Sequence, residues 1–110
     1  MAIIDPTAAG RSAAHVPTSH AQRYVTQLAR HFAHKIDVET GDGIAVFRFE
    51  CGTATLTARS ERLDIEVDSP DAVQRVETEE VVEGHLVRFA FREALGPLDW
   101  QSRARSLPER

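Results

Sequence analysis

Apolar positions along this chain recur with two periods, about 3.6 residues and two, and the order in which the periods alternate predicts the layout. Ala21, Tyr24, Val25, Leu28 and Phe32 fall at i, i+3, i+4, i+7 and i+11 after Pro17, Thr18 and Ser19. That spacing predicts one apolar stripe on a helix running to about residue 34. Ser19 and Gln22 fit a capping box at its start, each side chain satisfying an amide left free by the other. A period of two then takes over. Ile36 and Val38 begin a short strand that turns at Thr40, Gly41, Asp42 and Gly43, and IAVFRFE (44–50), TATLTA (53–58) and RLDIEVD (62–68) read as three more strands. Cys51 and Gly52 suit a tight hairpin between the first two of these.

Side-chain parity makes the strands one sheet. Phe47, Phe49 and Cys51 share a face, as do Ala54, Leu56 and Ala58, and then Leu63, Ile65 and Val67; threonines and acids occupy the other side. Ile44 and Val46 are exceptions, since parity puts them on the wet face, where a tail or a second subunit would cover them. A second helix opens at Ser69, Pro70 and Asp71. Its apolar stripe slips from Val73 and Val76 to Val82, Leu86 and Phe89, which predicts a bend or break near residues 77–80, with Gly84 adding slack. Leu95, Gly96 and Pro97 end it, and residues 98–101 suit a short fifth edge strand with Trp100 packing back on the core. The fold class is therefore two-layer α+β: helix, four-stranded antiparallel meander, helix, both helices on one sheet face. The domain spans residues 17–101, with residues 1–16 reading as a mobile tail and 102–110 as a second loose one.

Composition narrows the function classes. At 110 residues there is room for one domain, and 42% apolar with 27% charged residues is an ordinary globular balance. A lone cysteine, Cys51, excludes an intrachain disulfide and a cysteine-rich zinc module. A net charge of −4 argues against general nucleic-acid binding, and no apolar stretch nears the roughly 18 residues of a membrane span, so a cytoplasmic location is the expectation. Charge is uneven: residues 61–83 hold nine acids against Arg62 and Arg75, whereas residues 19–35 hold Arg23, Arg30, Lys35 and three histidines with no acid. Two solvated faces of opposite sign account for this.

The motifs HFAHK (31–35) and HLVRFAFRE (85–93), with the late Trp100, resemble an uncharacterised bacterial family catalogued as domain of unknown function 2218. The resemblance covers roughly residues 16–101. It implies a context, because some members are joined to or encoded beside siderophore-interacting flavoproteins, but it carries no catalytic residues. A small binding or accessory domain in iron or siderophore handling, with a flavoprotein or a small acidic ligand as partner, is what it implies.

Two clusters are candidates for chemistry. His31 and His34 are three residues apart on the first helix, and His85 on the second would supply a third imidazole for a divalent transition metal. The plainer reading makes His31 a half-buried imidazole bonded to a carbonyl, and His34 a solvated cation near a helix C-terminus. Arg88 and Arg92, one turn apart with Phe89 and Phe91 interleaved, would hold a carboxylate or phosphate of an acidic ligand; salt bridging to Glu83, Glu93 or Asp99 is the plainer role. A homodimer with no small ligand, formed through a sheet edge or through Ile44 and Val46, is a further alternative.

Overall fold

The computed structural model describes residues 9–102. Strand β1 (Arg11–Pro17) is followed by helix α1 (Ala21–Phe32), strands β2 (Asp37–Gly41), β3 (Ile44–Phe49), β4 (Gly52–Ala58) and β5 (Arg62–Asp68), and helix α2 (Ala72–Phe89). A 3₁₀ turn (Phe91–Glu93) and a two-residue strand β6 (Gln101–Ser102) complete the order. The expected four-stranded meander is present as β2 to β5, but the sheet has six antiparallel strands in the order β2-β3-β4-β5-β1-β6.

Strand β1 corrects the tail expected at residues 1–16. It pairs along its whole length with β5, from Arg11 against Asp68 to Pro17 against Arg62. Its residues are small: Ser12, Ala13 and Ala14 are buried along with Val16, so both faces pack without the large alternating side chains that mark a strand in sequence. Residues 1–8 of that expected tail, and 103–110 of the other, lie outside the described residues. The expected fifth edge strand shrinks to β6, which pairs Gln101 with Ala13 and Ser102 with Ser12.

Both helices cover one sheet face. The core joins Tyr24, Val25, Leu28 and Phe32 of α1 and Val82 and Leu86 of α2 to Phe47, Leu56, Leu63 and Ile65 of the strands. Cross-strand register aligns these residues: Ala45, Leu56, Ile65 and Ala14 form one row, Phe47, Ala54 and Val67 the next. The opposite face carries Ile44, Thr57, Asp64 and His15 in one row, and Val46, Thr55, Glu66 and Ala13 in another. Asp64 is nevertheless nearly buried, because His15, Arg59 and Arg62 close over it.

Helix ends differ from expectation in instructive ways. No Ser19–Gln22 box forms; His20 is the N-cap of α1, and its amide donates to Thr18 Oγ1 at 3.0 Å. Asp71 caps α2 by accepting from the Gln74 amide at 2.8 Å, which leaves Pro70 before the cap. Nor does α2 break: it is one continuous helix of 18 residues. The apparent slip arises because its buried face begins with polar groups, Thr78 and Glu79, before Val82 and Leu86. Thr78 Oγ1 donates to Gln74 O at 2.8 Å and lies 3.1 Å from both Ser69 Oγ and Cys51 Sγ, while Ser12 Oγ donates to Glu79 Oε2 at 2.5 Å. Those bonds satisfy the buried polar atoms. Val73 and Val76 belong to the outer face, where they are 70% and 39% exposed.

Candidate functional sites

The chain reverses sharply after α2, and the reversal shapes the surface. Glu93 in the 3₁₀ turn accepts from Thr18 Oγ1 at 2.8 Å and from the Tyr24 hydroxyl. Burial and this carboxylate push the Tyr24 hydroxyl up to about 12, and the same bond holds the Glu93 carboxyl below its ordinary value. Anchored there, the backbone turns back through Ala94 (φ 50) and Gly96 (φ 67), both left-handed. Residues 96–100 then run beside the outer face of α2. Trp100 donates from Nε1 to Glu83 Oε1 at 2.8 Å, which fixes the indole against the helix.

Between these two segments lies an open groove of about 540 Å³. From α2 come Val76, Glu80, Glu83, Gly84 and Val87, with Glu79 behind them; Gly96, Pro97 and Trp100 form the facing wall. Gly84 is exposed in the interior of α2, and a Cβ placed on it would meet nothing within 4 Å. The groove mixes apolar walls with three carboxylates and no basic side chain. Trp100 packs against the core, as the sequence predicts, and also walls the groove. The groove itself was missed, and the signal for it is the outer stripe Val76, Glu80 and Val87 with Gly84 among them.

The imidazole cluster is partly assembled. The rings of His31 and His85 lie 4.8 Å apart, and His31 also packs on Phe32 at 4.8 Å and Phe89 at 5.6 Å. His85 Nδ1 is 2.8 Å from Val81 O, an acceptor only, so Nδ1 carries a proton and donates to it. His31 Nε2 is buried without a hydrogen-bond partner among the described residues. Burial, then the neighbouring His85, Lys35 and Arg88, lower the His31 pKa, so this imidazole is neutral at neutral pH. His34 is exposed, and no group of three or more His, Cys, Asp or Glu side chains suited to a metal occurs among the described residues. Arg88 and Arg92 do not share a helix: Arg88 is in the last turn of α2, while Arg92 lies in the 3₁₀ turn with its guanidinium 5.5 Å from the Phe91 ring centre.

These elements define a small two-layer α+β domain with one helix-covered sheet face and a surface groove beside its last helix. The chain belongs to the family described as "Uncharacterized protein conserved in bacteria (DUF2218)", whose model matches residues 13–101. It is also similar to a solved structure, the NMR structure of PA4090 from Pseudomonas aeruginosa, at 34% identity and a TM-score of 0.72, covering 84% of this chain and 95% of that one. Comparison with curated proteins finds no match.

Proposed function

We propose that this domain is a ligand-binding module and that the groove between α2 and residues 96–100 seats the ligand. The observation that carries the reading is Gly84. A glycine in a helix interior costs about 0.5–1 kcal/mol relative to alanine, and here no neighbour occupies the space its Cβ would take. Its effect is to deepen the groove opposite Trp100. A volume of about 540 Å³ is in the range of small-molecule sites. The test is a titration of ¹⁵N-labelled protein with n-propanol, a neutral probe of apolar concavities. The amides of Gly84 and Gly96 and the Trp100 indole N–H shift together in the reading proposed, and Gly84→Leu abolishes the shifts. Shifts scattered over the surface, or unchanged by Gly84→Leu, would refute it.

A second reading is supported by the approach of His31 to His85: two imidazoles bind a divalent transition metal weakly, with solvent or a bound chelator completing the shell. Substoichiometric zinc or nickel should then raise the melting temperature by mass action on the folded state, and His85→Ala should remove the gain. An equal response of the two proteins excludes His85 as a ligand. The iron or siderophore context, and a flavoprotein or acidic chelator as partner, rest on family resemblance; such a ligand would be drawn to Arg88 and Arg92 rather than to the acidic groove.

A further inference from the structure

The groove's chemistry says which class of ligand it takes, an inference that rests on the reading of the groove as the binding site. Its walls supply apolar surface from Val76, Val87, Pro97 and Trp100. Its charge is of one sign. Glu79 is already compensated, since Arg75 Nε lies 3.2 Å from it and Ser12 donates to it. Glu83 spends one oxygen on the Trp100 indole, and no cation pairs with it among the described residues. Glu80 is exposed, and among the described residues no hydrogen bond or ion pair engages it. A negatively charged ligand placed here would face two uncompensated carboxylates with no cation to meet it. A neutral apolar one would gain nothing from them.

A bare divalent ion fits poorly as well. No group of three or more acidic or imidazole ligands suited to a metal is assembled among the described residues, and hard cations require six or more oxygens converging on one point. The apolar walls would also be idle around a bare ion. What uses every wall is a cation with a hydrocarbon body. Its methylenes would pack between Val76, Val87 and Pro97. Its positive end would be drawn to Glu80 and Glu83, and an indole is the side chain with the strongest attraction for cations. The carboxylates alone would be a solvated helix face; the concavity, the open Gly84 position and the fixed indole are what give them a ligand to act on.

We propose that the groove binds an aliphatic amine in its protonated form. Trp100 is the only tryptophan in the chain, so its emission reports on this one site. The experiment titrates the full-length protein with n-pentylamine, n-pentanol and sodium pentanoate at pH 7, following Trp100 fluorescence at low and at high salt. The ammonium form of pentylamine should saturate with an affinity at least about tenfold above that of pentanol, as one or two added charge contacts imply, and pentanoate should not bind. Added salt should weaken the amine and leave the alcohol unchanged. The double variant Glu80→Gln, Glu83→Gln should bring the amine down to the level of the alcohol; the amide introduced at position 83 keeps an oxygen for the indole N–H, so the wall stays in place. Gly84→Leu should block both probes.

Equal binding of amine and alcohol, or tighter binding of pentanoate, with Gly84→Leu still blocking, overturns the amine proposal and leaves the groove reading standing. If none of the three probes moves Trp100 while the n-propanol shifts at Gly84 are present, the amine proposal again falls alone. If neither appears, both fall. The melting temperature and amide spectrum of each variant confirm that a loss is not unfolding.

Discussion

Replacing Gly84 by alanine should stabilise this protein, which is unusual for a substitution within a structured helix. Three quantities set the expectation. The residue is inside α2, which runs from Ala72 to Phe89, so the full helical preference applies. Alanine exceeds glycine there by about 0.8–1.0 kcal/mol, mostly because the unfolded glycine has more conformations to lose. The new methyl group meets no atom within 4 Å, so there is no overpacking to offset the gain. The net effect should be a stabilisation of about 0.5–1 kcal/mol. For a domain near 100 residues that is a rise in melting temperature of about 2–8 °C. In urea the midpoint should move up by about 0.3–0.7 M with an unchanged slope. Calorimetry and urea titration of the two proteins read both directly. An unchanged or lowered midpoint would mean that the glycine answers a demand of the fold itself, and the argument that it serves the groove would fail.

Three further outcomes test the packing and electrostatics. Gly52→Ala should destabilise by about 1–3 kcal/mol, because its Cβ would lie 2.1 Å from Ser69 Oγ and 2.8 Å from Thr78 Oγ1; a neutral result in urea would show that the junction of β4 and α2 is looser than described. Leu86→Ala should cost about 2–5 kcal/mol, whereas Val73→Ser, at a position 70% exposed, should change the midpoint by less than about 0.5 kcal/mol; comparable losses would mean that the helix is phased differently. Burial alone would raise the Asp64 carboxyl, but bonds from His15, Arg62 and Arg59 outweigh it and hold the group at about 2, against an ordinary 3.8. The stability this confers is present above pH 4 and lost as pH falls from 3.8 towards 2. Full strength would be about 2 kcal/mol, screened to about 1 kcal/mol because all three partners are more than half exposed. Asp64→Asn should therefore be less stable than the parent at pH 7 and level with it near pH 2; an equal gap at both pH values would exclude the linkage.

Where a face buries large side chains at a regular interval, the chain could be read directly. Ala21, Tyr24, Val25, Leu28 and Phe32 are all buried on α1, and the inward residues of β3, β4 and β5 are those that parity assigned. That both helices share a sheet face followed from the wet side of the meander, and the 4.8 Å approach of His31 to His85 follows from that in turn. What escaped was packed by small or polar groups. Strand β1 buries Ser12, Ala13 and Ala14, whose sequence resembles a flexible segment. Helix α2 buries Thr78 and Glu79, and no periodicity count treats a glutamate as inward; the Ser12 hydroxyl, 67 residues away, and the Arg75 guanidinium one turn back make it so. The groove needed the reversal at Ala94 and Gly96, which depends on Glu93 reaching Thr18 and Tyr24 at the other end of the chain. His34 shows the limit of spacing arguments, since three residues from His31 carries it out to solvent.

The most direct measurement is an isotope-filtered NOE experiment on labelled protein with n-pentanol, chosen because it probes the concavity without invoking charge. Contacts from the alkyl chain to Gly84 Hα, the Val87 methyls and the Trp100 indole are the expected result. Contacts only at Val73 or Phe91, the apolar side chains exposed outside the groove, or none at all, would contradict the account.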